Sequence, residues 1–133
     1  MVFQKVHFII VDDSRLDCFI TEKIIQNSGM SASVRSFLEA PKALEFIKDN
    51  PPSADGTKTI IIVDIYMPLM NGFEFIEEFE RFPQPIVDNY TMYMLSSSIN
   101  ENDINRVANY KSVKKFLNKP LKSEVLMSLL SPE

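Results

Sequence analysis

The chain is poorest in the residues that build metal clusters and proton relays: it has one cysteine, Cys18, and one histidine, His7. A lone cysteine excludes an intramolecular disulfide and a cysteine-based zinc cluster. Cys18 falls within a predicted helix and reads as a small buried hydrophobe. A single histidine cannot make a histidine metal site or relay a proton to a second one, and His7 reads as an ordinary strand residue. Basic charge is short as well. Fourteen Lys and Arg against eighteen Asp and Glu give a net charge of −4, so the broad basic footprint of a nucleic-acid binder is missing and no direct nucleic-acid partner is expected. No apolar run approaches the ~20 residues that cross a bilayer, and the N-terminus lacks a charged-then-apolar leader. The expectation is a protein with no membrane insertion, in the cytoplasm. The remaining composition, 45% hydrophobic and 24% charged over 133 residues, suits one globular domain with a single core.

The most organised stretch is 59–72. Thr59 to Val63 is a β-branched run without alternation, as expected of a strand buried on both faces in a parallel sheet. It runs straight into Asp64, and Met67-Pro68 and Asn71-Gly72 then mark a turn. Val6 to Val11 reads as a first strand ending in Asp12-Asp13-Ser14. Leu16, Phe19, Ile20 and Ile24 recur at helical spacing up to Gly29, with Ser14 or Asp13 as candidate cap. Residues 31–37 alternate weakly as a second strand. A helix follows with Ala40, Ala43, Leu44 and Ile47 on one face and Pro41 in its first turn. After a loop over 50–56, too short to link domains, comes the third strand, then a helix near 73–82 with Phe75, Ile76 and Phe79 inward, ended by Pro83-Gln84-Pro85. Thr91 to Leu95 is a fourth strand closing on Ser96-Ser97-Ser98. A polar fourth helix near 101–109 has only Ile104, Val107 and Ala108 as an apolar stripe. Val113 to Leu117 is a fifth strand ending at Asn118-Lys119-Pro120, and a last helix over 122–130 packs through Val125, Leu126, Leu129 and Leu130.

Strands alternating with helices imply an α/β fold, a doubly wound five-stranded parallel sheet with helices on both faces. Right-handed crossovers leave few layouts, and the flavodoxin-like strand order 2-1-3-4-5 is expected. In such a sheet the residues after strands 1, 3, 4 and 5 gather at one edge: Asp12 and Asp13, Asp64, Ser96 and Lys119. Three crowded carboxylates favour a divalent cation, and a site with few protein ligands that are hard oxygens suits Mg²⁺, which keeps several waters. A cation there draws in phosphate oxygens, which Lys119 and the Ser96 hydroxyl can also hold. Aspartate itself can accept a phosphoryl group. Taken singly, each piece has a plainer reading: a helix cap beside a solvated acid, a loop dipeptide, a polar turn. Asp64 is harder to dismiss, because an acid closing an apolar run needs a partner or water. The methionines at 67, 70, 92 and 94 read as packing, and Glu74, Glu77, Glu78 and Glu80 as a solvated helix face.

With these residues in place at four strand ends, in order, the chain resembles a response-regulator receiver domain of two-component signalling over essentially its whole length. The resemblance implies a single receiver domain over 1–133 without an output domain, and a phosphoacceptor signalling domain rather than an enzyme acting on a separate substrate. It implies Asp64 as the phosphorylated residue. Mg²⁺ (or Mn²⁺) would be held by Asp13, Asp64 and the backbone carbonyl of Tyr66, with Asp12 acting largely through a metal-bound water. Ser96 matches the switch hydroxyl, Lys119 the phosphate-pairing lysine before a proline that is typically cis, and Phe116 the switch aromatic. Tyr66 and Ser98 stand where the family tunes phosphoryl lifetime, and Ser97 where it usually has Ala or Gly. The implied partners are a sensor histidine kinase or histidine phosphotransfer protein and a downstream protein target, reached through the fourth helix, fifth strand and last helix. A phosphorelay intermediate and a stand-alone regulator both fit. Leu16, Cys18, Phe19 and Ile20 are candidates for a kinase docking patch. Two other classes compete: a receiver fold that binds its partner without phosphorylation, which the retained acids, hydroxyl and lysine argue against, and an aspartate-nucleophile phosphatase, which needs a second acid where this chain has Tyr66.

Overall fold

Each β-branched or apolar run becomes a strand of one parallel sheet in the computed structural model, which describes residues 5–51, 57–97 and 100–130. The strands are β1 (Val6–Val11), β2 (Ser31–Phe37), β3 (Thr59–Val63), β4 (Tyr90–Ser96) and β5 (Val113–Asn118). The expected order is found, β2-β1-β3-β4-β5, with all neighbours parallel. The helices are α1 (Arg15–Asn27), α2 (Ala40–Asp49), α3 (Gly72–Phe79), α4 (Gln84–Val87), α5 (Glu101–Val107) and α6 (Ser123–Leu130). Among the described residues no helix is long and apolar enough to cross a membrane.

The period-2 geometry of a strand divides the central runs between two cores. Ile9, Val11, Ile61, Val63, Met92 and Met94 face α2, α3 and α5. Phe8, Ile10, Ile60, Ile62, Tyr93 and Leu95 face α1 and α6. With all five β3 residues buried, that strand is the spine to which both layers are fixed, and its far end cannot shift without disturbing both. His7 bonds Ser33 across β1 and β2 through Nδ1, at 2.7 Å, the ordinary strand role expected of it.

Three local expectations need correction. The helix expected near 73–82 stops at Phe79, before the prolines, and Pro83-Gln84-Pro85 instead starts the short α4, because a proline in the first turn loses no hydrogen bond. In α1 the inward face is Cys18, Thr21 and Ile25, whereas Leu16 and Phe19 are 66% and 56% exposed and Ile20 is also exposed. Cys18 therefore belongs to the core and not to the exposed patch proposed for docking. Burial and the nearby Asp12 push its thiol up to about 11, which leaves it protonated and unreactive. In α5 the apolar stripe reduces to Val107, with Ile104 and Ala108 exposed. Glu74, Glu77, Glu78 and Glu80 are exposed, as expected of a solvated face, and three of them also hold neighbours: Glu74 closes a capping box with Asn71, Glu77 accepts from Tyr110 at 2.5 Å, and Glu80, just past the helix, accepts from the Ser112 amide and hydroxyl. Of the 50–56 loop, residues 52–56 lie outside the described residues.

Candidate functional site

Parallel pairing brings the strand ends together. The Asp12 amide donates to the Phe37 carbonyl at 3.0 Å and the Asp64 amide to the Val11 carbonyl at 2.8 Å, so ladder-type bonds carry each acid one residue past its strand. The Lys119 amide donates to the Ser96 carbonyl at 2.8 Å, which ties the fourth strand end to the fifth. Asp12, Asp64 and Ser96 are buried, and Asp13 is exposed. Carboxylate oxygens of Asp12, Asp13 and Asp64 lie within 4.8 Å of one another.

Lys119 threads its ammonium among these acids, 2.7 Å from Asp12 Oδ2 and 3.6 Å from Asp64 Oδ1. A cis peptide bond joins it to Pro120. A third carboxylate, Asp17 Oδ2, holds it at 2.8 Å, and Asp17 was not foreseen. Its signal is Ser14-x-x-Asp17 at a helix start, the pattern of a capping box. Only half of that box forms. Ser14 Oγ accepts from the Asp17 amide at 3.1 Å, but the Ser14 amide is taken by Asp12 Oδ1 at 3.0 Å, and the Asp17 carboxylate reaches Lys119 across the sheet edge. Burial pulls the Lys119 pKa down, but the bonds to Asp12 and Asp17 and the charge of Asp64 outweigh it and leave the ammonium more firmly protonated than usual.

Burial raises the Asp64 carboxyl to about 6; Lys119 opposes the shift, and the charges of Asp12 and Asp13 add to it. Even with an ammonium in place, the pocket is short of positive charge. Hard oxygen donors, close spacing and uncompensated negative charge fit a divalent cation such as Mg²⁺.

Behind Asp64 the chain must turn sharply. The Gly72 amide donates to the Ile65 carbonyl at 2.7 Å, and a Cβ at Gly72 would stand 2.5 Å from the Asp64 carbonyl oxygen and 2.8 Å from Ile65 Cα. Only glycine permits this approach. Leu69 takes a positive φ of 70° in the same loop and is 87% exposed. The Tyr66 ring is also exposed, and its hydroxyl donates to Asp103 of α5, so it spans from the loop after Asp64 to a helix of the facing layer. Phe116 pairs with Met94 in the sheet and is half-buried against the core under α3 and α5. Ser97 lines a cavity of about 240 Å³ with Asp17, Ile20, Lys119 and Pro120. Ser98 lies outside the described residues.

The family model described as response regulator receiver domain matches residues 8–131. The crystal structure of a response regulator receiver protein from Dyadobacter fermentans DSM 18053 superposes with a TM-score of 0.85 at 35% identity, covering 94% of this chain and 94% of that one. A two-component response regulator from Cytophaga hutchinsonii gives a TM-score of 0.83 at 25% identity, over 95% and 94% of the two chains. The two-component response regulator ARR8 of Arabidopsis thaliana is 33% identical over 87 residues, which take in 56% of this chain and 38% of that protein. The chain thus matches well under half the length of that curated relative.

Proposed function

The chain belongs to the response regulator receiver domain family of two-component signalling, and on that premise we propose that Asp64 is its phosphoacceptor. One observation carries the reading: three carboxylates with oxygens within 4.8 Å of one another, one of them Asp64, and Lys119 Nζ 3.6 Å from Asp64 Oδ1. Asp12, Asp13 and Asp64, with the Tyr66 backbone carbonyl, would hold Mg²⁺ or Mn²⁺, which when bound supplies charge neutralisation for the phosphoryl oxygens. Everything else falls to the protein. An Asp64 carboxylate oxygen attacks the phosphorus of a phosphohistidine on a sensor kinase or phosphotransfer protein. The new O–P bond forms as the N–P bond breaks, and its electron pair returns to the imidazole nitrogen. Such a transfer asks for positioning and charge stabilisation more than covalent chemistry. Asp12 and Asp17 keep Lys119 in reach of Asp64, where its ammonium pairs with the arriving phosphoryl group.

The phosphoryl group adds charge of about −2 beside Lys119 and Ser96 and draws both toward it. Phe116 then repacks, and the surface formed by α5, β5 and α6 changes shape. A downstream protein target reads that surface. Tyr66 and Ser98 set how readily water reaches the acyl phosphate. The test is intact mass after incubation with acetyl phosphate, with and without Mg²⁺, on wild type and Asp64→Asn. One Mg²⁺-dependent phosphoryl adduct, absent from the variant, is expected. No adduct together with no Mg²⁺ binding would overturn the phosphoacceptor reading in favour of a phosphorylation-independent binding module.

A further inference from the structure

The charges of the chain are not evenly spread. Between Ile104 and Ser123 lie six of its fourteen basic residues (Arg106, Lys111, Lys114, Lys115, Lys119 and Lys122) and none of its eighteen acids. The rest of the chain therefore carries eight basic against eighteen acidic residues. This stretch contains β5, the edge strand of the sheet. Along β5 and the loop into α6 runs an open groove of about 560 Å³, in which Leu117, Pro120 and Val125 supply apolar wall and Lys115, Lys119 and Lys122 supply charge; no carboxylate lines it. The Lys119 ammonium is taken by Asp12 and Asp17. Among the described residues, no carboxylate pairs with Lys115 or Lys122.

Lysines on an edge strand have an ordinary use: they and a bulge discourage another sheet from adding on. That explains Lys114, at the register shift of β5, and Lys115 beside it. It does not explain Lys122. This residue stands where α6 begins, its carbonyl accepting from the Leu126 amide at 2.9 Å. A cation there opposes the helix dipole, and Ser, Thr, Asp or Asn would cap the helix better. Neither edge protection nor helix stability accounts for it.

We propose that the β5–α6 groove docks an acidic segment of a partner protein, with carboxylates on Lys115 and Lys122 and an apolar side chain against Pro120 and Val125. The proposal deepens the output-surface reading of this face by giving the partner's chemistry, and it rests on that reading for its purpose. A peptide suits the groove better than nucleic acid does. The basic strip is narrow, part of the groove wall is apolar, and the surrounding acidic excess repels a long polyanion. Lys119 belongs both to the groove and to the acid cluster, so a phosphoryl group on Asp64 acts on the groove wall directly.

The test titrates the full ¹⁵N-labelled chain with a short acetylated peptide of Asp and Glu around one Leu. The same peptide with Asn and Gln in place of its acids, and single-stranded oligothymidylate, serve as comparisons. Saturable shifts concentrated at 113–125 are expected with the acidic peptide and not with the neutral one. Binding should weaken about tenfold or more in Lys115→Glu/Lys122→Glu and stay unchanged in Lys42→Glu, on α2. Glutamate at position 122 favours the helix start, so lost binding in that variant cannot be laid to a lost fold. Shifts elsewhere, undiminished binding by the double variant, or tighter binding of oligothymidylate than of the peptide each overturn the proposal. Intact mass of the same samples after acetyl phosphate keeps the two readings apart. An adduct without peptide binding removes the docking site alone; peptide binding with neither an adduct nor Mg²⁺ binding removes the phosphoacceptor alone.

Discussion

Two helices on one face of the sheet, α3 and α5, have eight and seven residues and are held in opposite ways. α3 buries Gly72, Phe73, Phe75, Ile76 and Phe79, whereas α5 buries Val107 alone. Polar and aromatic contacts make up the difference for α5. The Arg106 guanidinium lies 4.1 Å over the Phe73 ring and 3.5 Å from Glu77, and Tyr66 donates to Asp103. Apolar burial fixes a helix with a large, indivisible term. Exposed ion pairs and cation–π contacts are worth about 1 kcal/mol or less each and can be exchanged singly. A charge change at Asp64 therefore meets one helix that cannot yield and another that can. Tyr66, two residues past Asp64, already touches the second.

The largest expected effect breaks the rigid side. Phe79→Ala should cost about 3–5 kcal/mol in chemical denaturation, and Val107→Ala only about 2, since α5 has one anchor to lose. Next is the pH dependence of the acid cluster at the sheet edge. The folded Asp64 carboxyl holds its proton to about pH 6 against an ordinary value of 3.8. The native state thus binds the extra proton, and its contribution to stability is full below pH 3.8 and lost as pH rises through 6. A shift of that size corresponds to about 2–3 kcal/mol. Melting temperatures of wild type should fall relative to Asp64→Asn across that window, and Mg²⁺ should restore them above it, because only the folded chain brings the acids together. A constant difference from pH 4 to 7 would contradict this. Gly72→Ala should cost about 1–3 kcal/mol, since a Cβ meets backbone of Asp64 and Ile65, which cannot swing aside as the end of the Met94 side chain can. It should also slow adduct formation at Asp64. The smallest effect sharpens the contrast: Arg106→Ala should cost about 1 kcal/mol or less while raising hydrogen exchange in α5 and leaving α3 unchanged.

The parts legible in the sequence are those that depend on local pattern. A continuous β-branched run marks β3 and a mostly apolar one β1, and parallel topology alone brings Asp12, Asp13, Asp64 and Lys119 to one edge. What stayed hidden depends on pairing between distant residues. Asp17 meets Lys119 from 102 positions away, and the Ser14-x-x-Asp17 pattern around it announces a helix cap, not this partner. The contacts of α5 with Phe73, Glu77 and Tyr66 likewise arise only once the layers are stacked, so its polar sequence looked merely weakly helical. Cys18 and Phe19 are neighbours with opposite fates because the inward face of α1 is set by where the sheet lies, and apolar residues on both sides left that rotation open.

The most direct test follows hydrogen exchange of α3 and α5 in the Mg²⁺-loaded chain, before and after acetyl phosphate, with adduct at Asp64 verified by mass and Asp64→Asn as control. The account predicts altered protection in α5 and at Phe116, unaltered protection in α3, and no change in the variant. An adduct at Asp64 that leaves α5 as it was, or that loosens α3 equally, would contradict the account.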